Sequence, residues 1–180
     1  MSKVFIKIVA ITTFLAVLFC AGFVFFYGRL QQFPAEAPDS SRSFINKPLP
    51  AARLVDLAGV KLDEQLIRKG RVVLVFVTPE CQACLLEGEF LKTLLGRRAD
   101  VTFLGIVPFG KTIESESAAT KMFPFKVFYD DSNTLVQAIG INRIPVKIFL
   151  EDGIIKKGWI GAALSDRAKT SFIEWLDGLE

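Results

Sequence analysis

Residues 71–95 read RVVLVFVTPECQACLLEGEFLKTLL, and the reading of this stretch decides the fold. Its first part, Arg71–Val77, is a continuous β-branched and aromatic run, the pattern of a strand covered on both faces. After Thr78-Pro79-Glu80 the period changes. Leu86, Phe90, Leu91, Leu94 and Leu95 recur at three- and four-residue spacing, which predicts a helix with that stripe inward. Gly88 within it costs about 1 kcal/mol relative to alanine, so close packing is expected there. Cys81 and Cys84 therefore stand where a buried strand hands over to a helix.

That position has chemical consequences. A sulfur at a helix N-terminus lies beside unsatisfied backbone amides and the positive end of the helix dipole, which favours its thiolate. The thiolate is the attacking species in disulfide exchange, and a second cysteine one turn along can resolve the mixed disulfide. Cys81 is thus the expected attacking residue and Cys84 the resolving one. A zinc site needs about four ligands. The chain has no histidine, and its remaining cysteine, Cys20, lies in an apolar segment, so no metal is expected. A purely structural disulfide across so short a loop would stabilise little. A C-x-x-C beside a strand–helix–strand pattern favours redox work, with the Cys81–Cys84 disulfide as the reactive group and no further cofactor.

Downstream, Val101–Val107 reads as a second buried strand, Thr112–Met122 as a weaker helix and Phe125–Tyr129 as a strand. Thr134–Ile139 predicts a short helix ended by Gly140. Val146–Leu150 and Ile154–Ile160 flank Asp152-Gly153, a hairpin turn signal. Ser165 is placed to cap a last helix with Ala168, Phe172, Trp175, Leu176 and Leu179 inward. Upstream, Ala51–Leu57 and Gly59 suggest a short strand and turn, and Asp63 caps a short helix through Lys69 with Gly70 as its stop. Strands alternating with helices, then a hairpin and a helix, give an α/β sandwich with a mixed central sheet.

At the N-terminus, residues 8–27 read IVAITTFLAVLFCAGFVFFY without a charge. Their 20 residues match a helix crossing a hydrocarbon core of roughly 30 Å. A cleaved signal peptide has a shorter apolar region, so an uncleaved signal anchor is expected. Lys3 and Lys7 place the N-terminus in the cytoplasm, although Arg29 weakens the contrast. Residues 28–47, with Pro34, Pro38 and several serines, read as a flexible tether, and 48–180 as the folded domain. Beyond Lys3 and Lys7 the 22 basic residues fall to 20, against 19 acidic ones, so nucleic acid is not an expected partner.

The residues quoted so far resemble the thioredoxin superfamily. The resemblance extends to Ile144-Pro145 followed by Val146–Leu150, Asp152-Gly153, Gly161-Ala162 and the helix from Ser165. It implies that Pro145 is cis, that it faces the cysteine pair, and that the Ile144 backbone pairs with an extended substrate segment. The anchor, the segment Lys47–Pro50 through Asp56–Gly59 and the added length between Val101 and Tyr129 are similar to the membrane-anchored branch containing TlpA, ResA and the thioredoxin-like proteins of cytochrome c maturation. That branch implies a reductant in the bacterial inner membrane whose catalytic domain faces the periplasm or cell exterior. It would serve protein thiols and disulfides there, drawing on a membrane or periplasmic electron donor.

The chain also departs from the pattern. Glu80 replaces the usual aromatic before the first cysteine, and its carboxylate opposes a Cys81 thiolate by like-charge repulsion. Val75 holds the strand position where thioredoxins bury an acid that helps deprotonate the resolving cysteine. No other buried acid is evident from the pattern, so the proton acceptor for Cys84 is unassigned; Glu80 is a candidate, beside its reading as a solvated surface acid. Two other functions stay open. Thr78-Pro79-Glu80-Cys81 matches the T-x-x-C of peroxiredoxin-like peroxidases, although Leu74 stands where their motif has proline. A non-catalytic redox-sensing or assembly module would also tolerate loss of the active-site aromatic and acid.

Overall fold

The structure is a computed structural model that describes residues 44–108 and 121–179. The expected anchor (8–27), nearly all of the expected tether, and the helix expected over Thr112–Met122, save its last two residues, lie outside the described residues. Among the described residues no helix is long and apolar enough to cross a membrane.

The elements follow the sequence pattern closely. In chain order they are β1 (Leu54–Val55), α1 (Glu64–Arg68), β2 (Arg71–Phe76), α2 (Gln82–Leu94), β3 (Val101–Val107), β4 (Lys126–Asp130), α3 (Thr134–Ala138), β5 (Val146–Glu151), β6 (Ile154–Ile160) and α4 (Asp166–Asp177). Asp63 caps α1 through the Gln65 amide, and Ser165 caps α4 through the Ala168 amide. Both side chains satisfy amides that have no partner in the first helical turn. The β5–β6 turn places Asp152 at φ 49° and Gly153 at φ 77°. Two positive φ values are what a two-residue hairpin matching the strand twist requires.

The strands form one six-stranded mixed sheet in the order β1-β4-β3-β2-β5-β6. β2, β3 and β4 run parallel, whereas β1 and β5 pair antiparallel to their neighbours and β6 returns along β5. β2 is central, and its side chains alternate between two cores. Val73, Val75 and Val77 face α2 and α4, where Leu91, Leu94, Phe172 and Leu176 cover them. Val72, Leu74 and Phe76 face the opposite way, toward Leu135, Val136 and Ile139 around α3. This double burial is the reason the run lacks alternation in sequence. On β3, a Cβ added at Gly105 would stand 2.8 Å from the Phe125 ring, so glycine is what lets that ring lie against the strand.

Two expectations change. The inward stripe of α2 is Cys84, Glu87, Gly88, Leu91 and Leu94, while Leu86 is 55% exposed. Leucine content misplaced the stripe because one inward position is occupied by a glutamate. Residues 44–47, assigned from composition to the end of the tether, dock on the hairpin. Asn46 N–H donates to Ile155 O at 2.7 Å, and Ile155 N–H donates to Lys47 O at 2.9 Å. Phe44 and Ile45 pack against the core around α3. An edge strand with open backbone groups gains from such a cover.

Candidate active site

β2 ends at Phe76, and Thr78-Pro79-Glu80 turns the chain into α2. Cys81 is the N-cap of α2, with its sulfur accepting a hydrogen bond from the Cys84 amide at 3.1 Å. Cys81 and Cys84 are joined as a disulfide, with their Cα atoms 5.2 Å apart. The two sulfurs differ in access, because Cys81 is half-buried and Cys84 is 1% exposed. An incoming thiol or disulfide can thus reach Cys81 while Cys84 stays behind it. The amide already aimed at the Cys81 sulfur is one that would stabilise negative charge there after reduction.

The Ile144–Pro145 peptide bond is cis. Val146 pairs with Phe76, which puts Pro145 at the same end of the sheet as the disulfide. Pro145 is buried, and its carbonyl accepts from the Gly161 amide at 2.9 Å. Ile144 is half-buried and packs, as Cys81 does, against the core under α2. Topology therefore brings Cys81, Cys84, Ile144 and Pro145 to one end of the sheet. Glu80 is exposed in the turn that precedes Cys81.

The pattern of the sequence missed a buried acid. Glu87, one turn after Cys84 on the same face of α2, is 0% exposed, and so is Lys147 on β5. The Lys147 ammonium contacts both carboxylate oxygens of Glu87, and it donates to Gly161 O at 2.9 Å. Glu87 Oε1 also accepts from the Ala163 amide at 2.8 Å. Lys147 stands beside Val75 in the β2–β5 register and beside Trp159 in the β5–β6 register. Where β2 carries Val75, the buried carboxylate stands on α2 instead, with its cation from the neighbouring strand. Burial pushes the Lys147 ammonium down from 10.5 to about 8, and the attraction of Glu87 opposes that shift.

Signals for the pair were present in the sequence. Cys84, Glu87, Leu91 and Leu94 share a helical stripe, and Lys147 interrupts the apolar run Val146–Leu150. Each alone reads as an exposed charge. Only the meeting of residues 60 positions apart makes both burials tolerable. Among the described residues no cluster of three or more His, Cys, Asp or Glu could hold a metal ion.

No family model matches the chain, and no curated protein matches it in sequence. Solved structures do match. A secreted Mycobacterium tuberculosis disulfide oxidoreductase homologous to Escherichia coli DsbE aligns with a TM-score of 0.58 at 21% identity, covering 71% of this chain and 95% of that one. M. tuberculosis DsbF, solved in mixed oxidised and reduced forms, gives 0.54 at 18% identity, covering 76% and 98%. The thioredoxin domain of a Bacteroides vulgatus thiol-disulfide oxidoreductase gives 0.57 at 16% identity, covering 73% and 96%. At these identities the likeness concerns architecture, and the chain has the thioredoxin fold.

Proposed function

We propose that this protein is a thiol–disulfide oxidoreductase that exchanges disulfides with partner proteins through Cys81 and Cys84. The observation that carries the reading is the asymmetric disulfide, its accessible sulfur at the N-cap of α2 and its buried one beneath, beside cis-Pro145. In the reducing direction the Cys81 thiolate attacks a partner disulfide, forming a mixed disulfide and releasing one partner thiolate. Cys84 then loses its proton and attacks the Cys81 sulfur. The Cys81–Cys84 disulfide forms, the second partner sulfur leaves, and two electrons have passed to the partner. Glu87, a carboxylate one turn from Cys84, is the acceptor for the Cys84 proton.

Ile144 and Pro145 form the edge on which an extended partner segment docks by backbone pairing, and Glu80 tempers the thiolate by like charge. The apolar run at 8–27 supports a single-pass anchor in the bacterial inner membrane, with the domain facing the periplasm or cell exterior. In that compartment we read the chain as a reductant of cytochrome c or metalloprotein cysteines, resupplied by a membrane or periplasmic electron donor.

Capture in the membrane fraction tests the reading. Cys84→Ser should trap a mixed disulfide with the partner, and Cys81→Ser should trap none. Absence of any adduct with Cys84→Ser would count against exchange. A midpoint potential as oxidising as roughly −120 mV would exclude the reducing direction. Peroxide consumption lost in Cys81→Ser, without insulin reduction, would favour the peroxidase alternative. Equal phenotypes of the wild type and a Cys81→Ala/Cys84→Ala variant would favour the non-catalytic module.

A further inference from the structure

We infer that Lys147 is a positioning residue for the exchange reaction, holding buried Glu87 as a carboxylate so that it can take the Cys84 proton. The inference rests on the thiol–disulfide reading above.

A carboxyl group with no access to water takes its neutral form unless a cation or several donors compensate it. A neutral carboxyl has no capacity to accept a proton. In this core the compensation is Lys147 together with the Ala163 amide. Among the described residues, those that register and ring contact place beside Lys147 are uncharged: Val75 from β2, Trp159 from β6, and Phe172 from α4, whose ring centre is 5.4 Å from the ammonium. Asp130, the remaining buried charged residue among those described, instead accepts from the Val136 amide at the start of α3. Lys147 is therefore the cation on which the charge of Glu87 depends.

Proton transfer also requires the lysine. When Cys84 S–H gives its proton to Glu87, a thiolate and a carboxylic acid replace a thiol and a carboxylate. The negative charge moves one turn along α2, about 5–6 Å between side chains spaced this way. The ammonium remains to offset it at either place, so the core holds one cation and one anion throughout. Without Lys147 the same transfer would leave an uncompensated anion in the core. Because burial draws the Lys147 ammonium down to about 8, the pair is intact at neutral pH and loses its cation above that value.

The two steps can be watched separately in the reduced full-length chain with dithiobis-nitrobenzoate. Attack by Cys81 releases a first nitrothiolate, and resolution by Cys84 releases a second. Lys147→Met should leave the first release unchanged and shift the pH profile of the second upward by about one unit, a loss of about tenfold at pH 7. Lys147→Arg should restore most of the wild-type profile. On a Glu87→Gln background, Lys147→Met should shift the profile by clearly less than it does in the wild type, since only its direct effect on the Cys84 thiolate remains. Should Lys147→Met not fold, Lys147→Gln retains a donor for Gly161 O and carries the same expectation.

An unshifted second step in Lys147→Met, with Glu87→Gln shifted, overturns the role given to Lys147. An unshifted Glu87→Gln removes Glu87 as acceptor and the proposal with it. A wild-type chain lacking the first release fails at the exchange reading itself.

Discussion

The two faces of the central sheet are built from the same alternating strands, yet they handle buried charge differently. On the α3 face, Val72, Leu74, Phe76, Leu104, Ile106 and Ile148 form a hydrocarbon layer. Its one buried charge among the described residues is Asp130, whose carboxylate accepts from the Val136 amide at 3.0 Å. That arrangement is local and serves to fix the start of a short helix. On the α2 and α4 face, the buried charges among the described residues are Glu87, one turn after Cys84 on α2, and Lys147, from elements distant in the chain. An ion pair sealed from water is seldom the most stable filling for a core, since desolvation offsets its attraction. Glu87 stands one turn from Cys84, and the proton-acceptor role proposed for it would account for keeping such a pair, whereas the α3 face is filled mostly with hydrocarbon.

Breaking the pair tests that contrast most severely. Glu87→Ala leaves the Lys147 ammonium buried without its anion, and a loss of about 3–5 kcal/mol is expected in urea unfolding. Replacing both partners by methionine should recover most of that loss while still removing the fast resolution step. Retained fast resolution in the double variant would sever the pair from function.

On the opposite face, Leu74→Ala opens a cavity among hydrocarbon side chains, with an expected cost of about 2–5 kcal/mol. The pH profile of exchange in the folded fraction should not move. A shifted profile would show that the two faces are not functionally separate.

Alkaline pH should distinguish the faces without a large structural change. The folded Lys147 titrates near 8 and the unfolded one near 10.5, so the unfolded chain binds more protons between these values. Stability from this group is therefore lowest below about pH 8 and rises as pH increases toward 10.5. Unfolding free energies of the wild type, measured relative to Lys147→Met, should show this rise. A flat difference would place the lysine in contact with water.

The smallest effect is a gain. Gly88 sits on the inward stripe of α2, but a Cβ there would meet the Phe123 ring at 3.6 Å, an ordinary contact. Gly88→Ala should stabilise the chain by about 1 kcal/mol through helix propensity, with exchange unaltered. A loss of stability would mean that α2 packs more closely over the sheet than this distance indicates.

Several features were legible in the order of residues because they are local. The β2 run, the Asp63 and Ser165 caps, the Asp152-Gly153 turn and the two cysteines one helical turn apart depend on neighbours within about four positions. From these the mixed α/β sheet and the cysteine pair follow, and the Ile144-Pro145 motif adds the expectation of a cis bond. The inward face of α2 is less legible, since hydrophobic periodicity has no means of placing a glutamate inside. Tertiary structure alone decided that Cys84 is sealed while Cys81 is reachable, that residues 44–47 close the hairpin edge, and that Glu87 meets Lys147. The reason is physical: whether a charge can be buried depends on what lies across the gap, and here the partner comes from a strand 60 residues away.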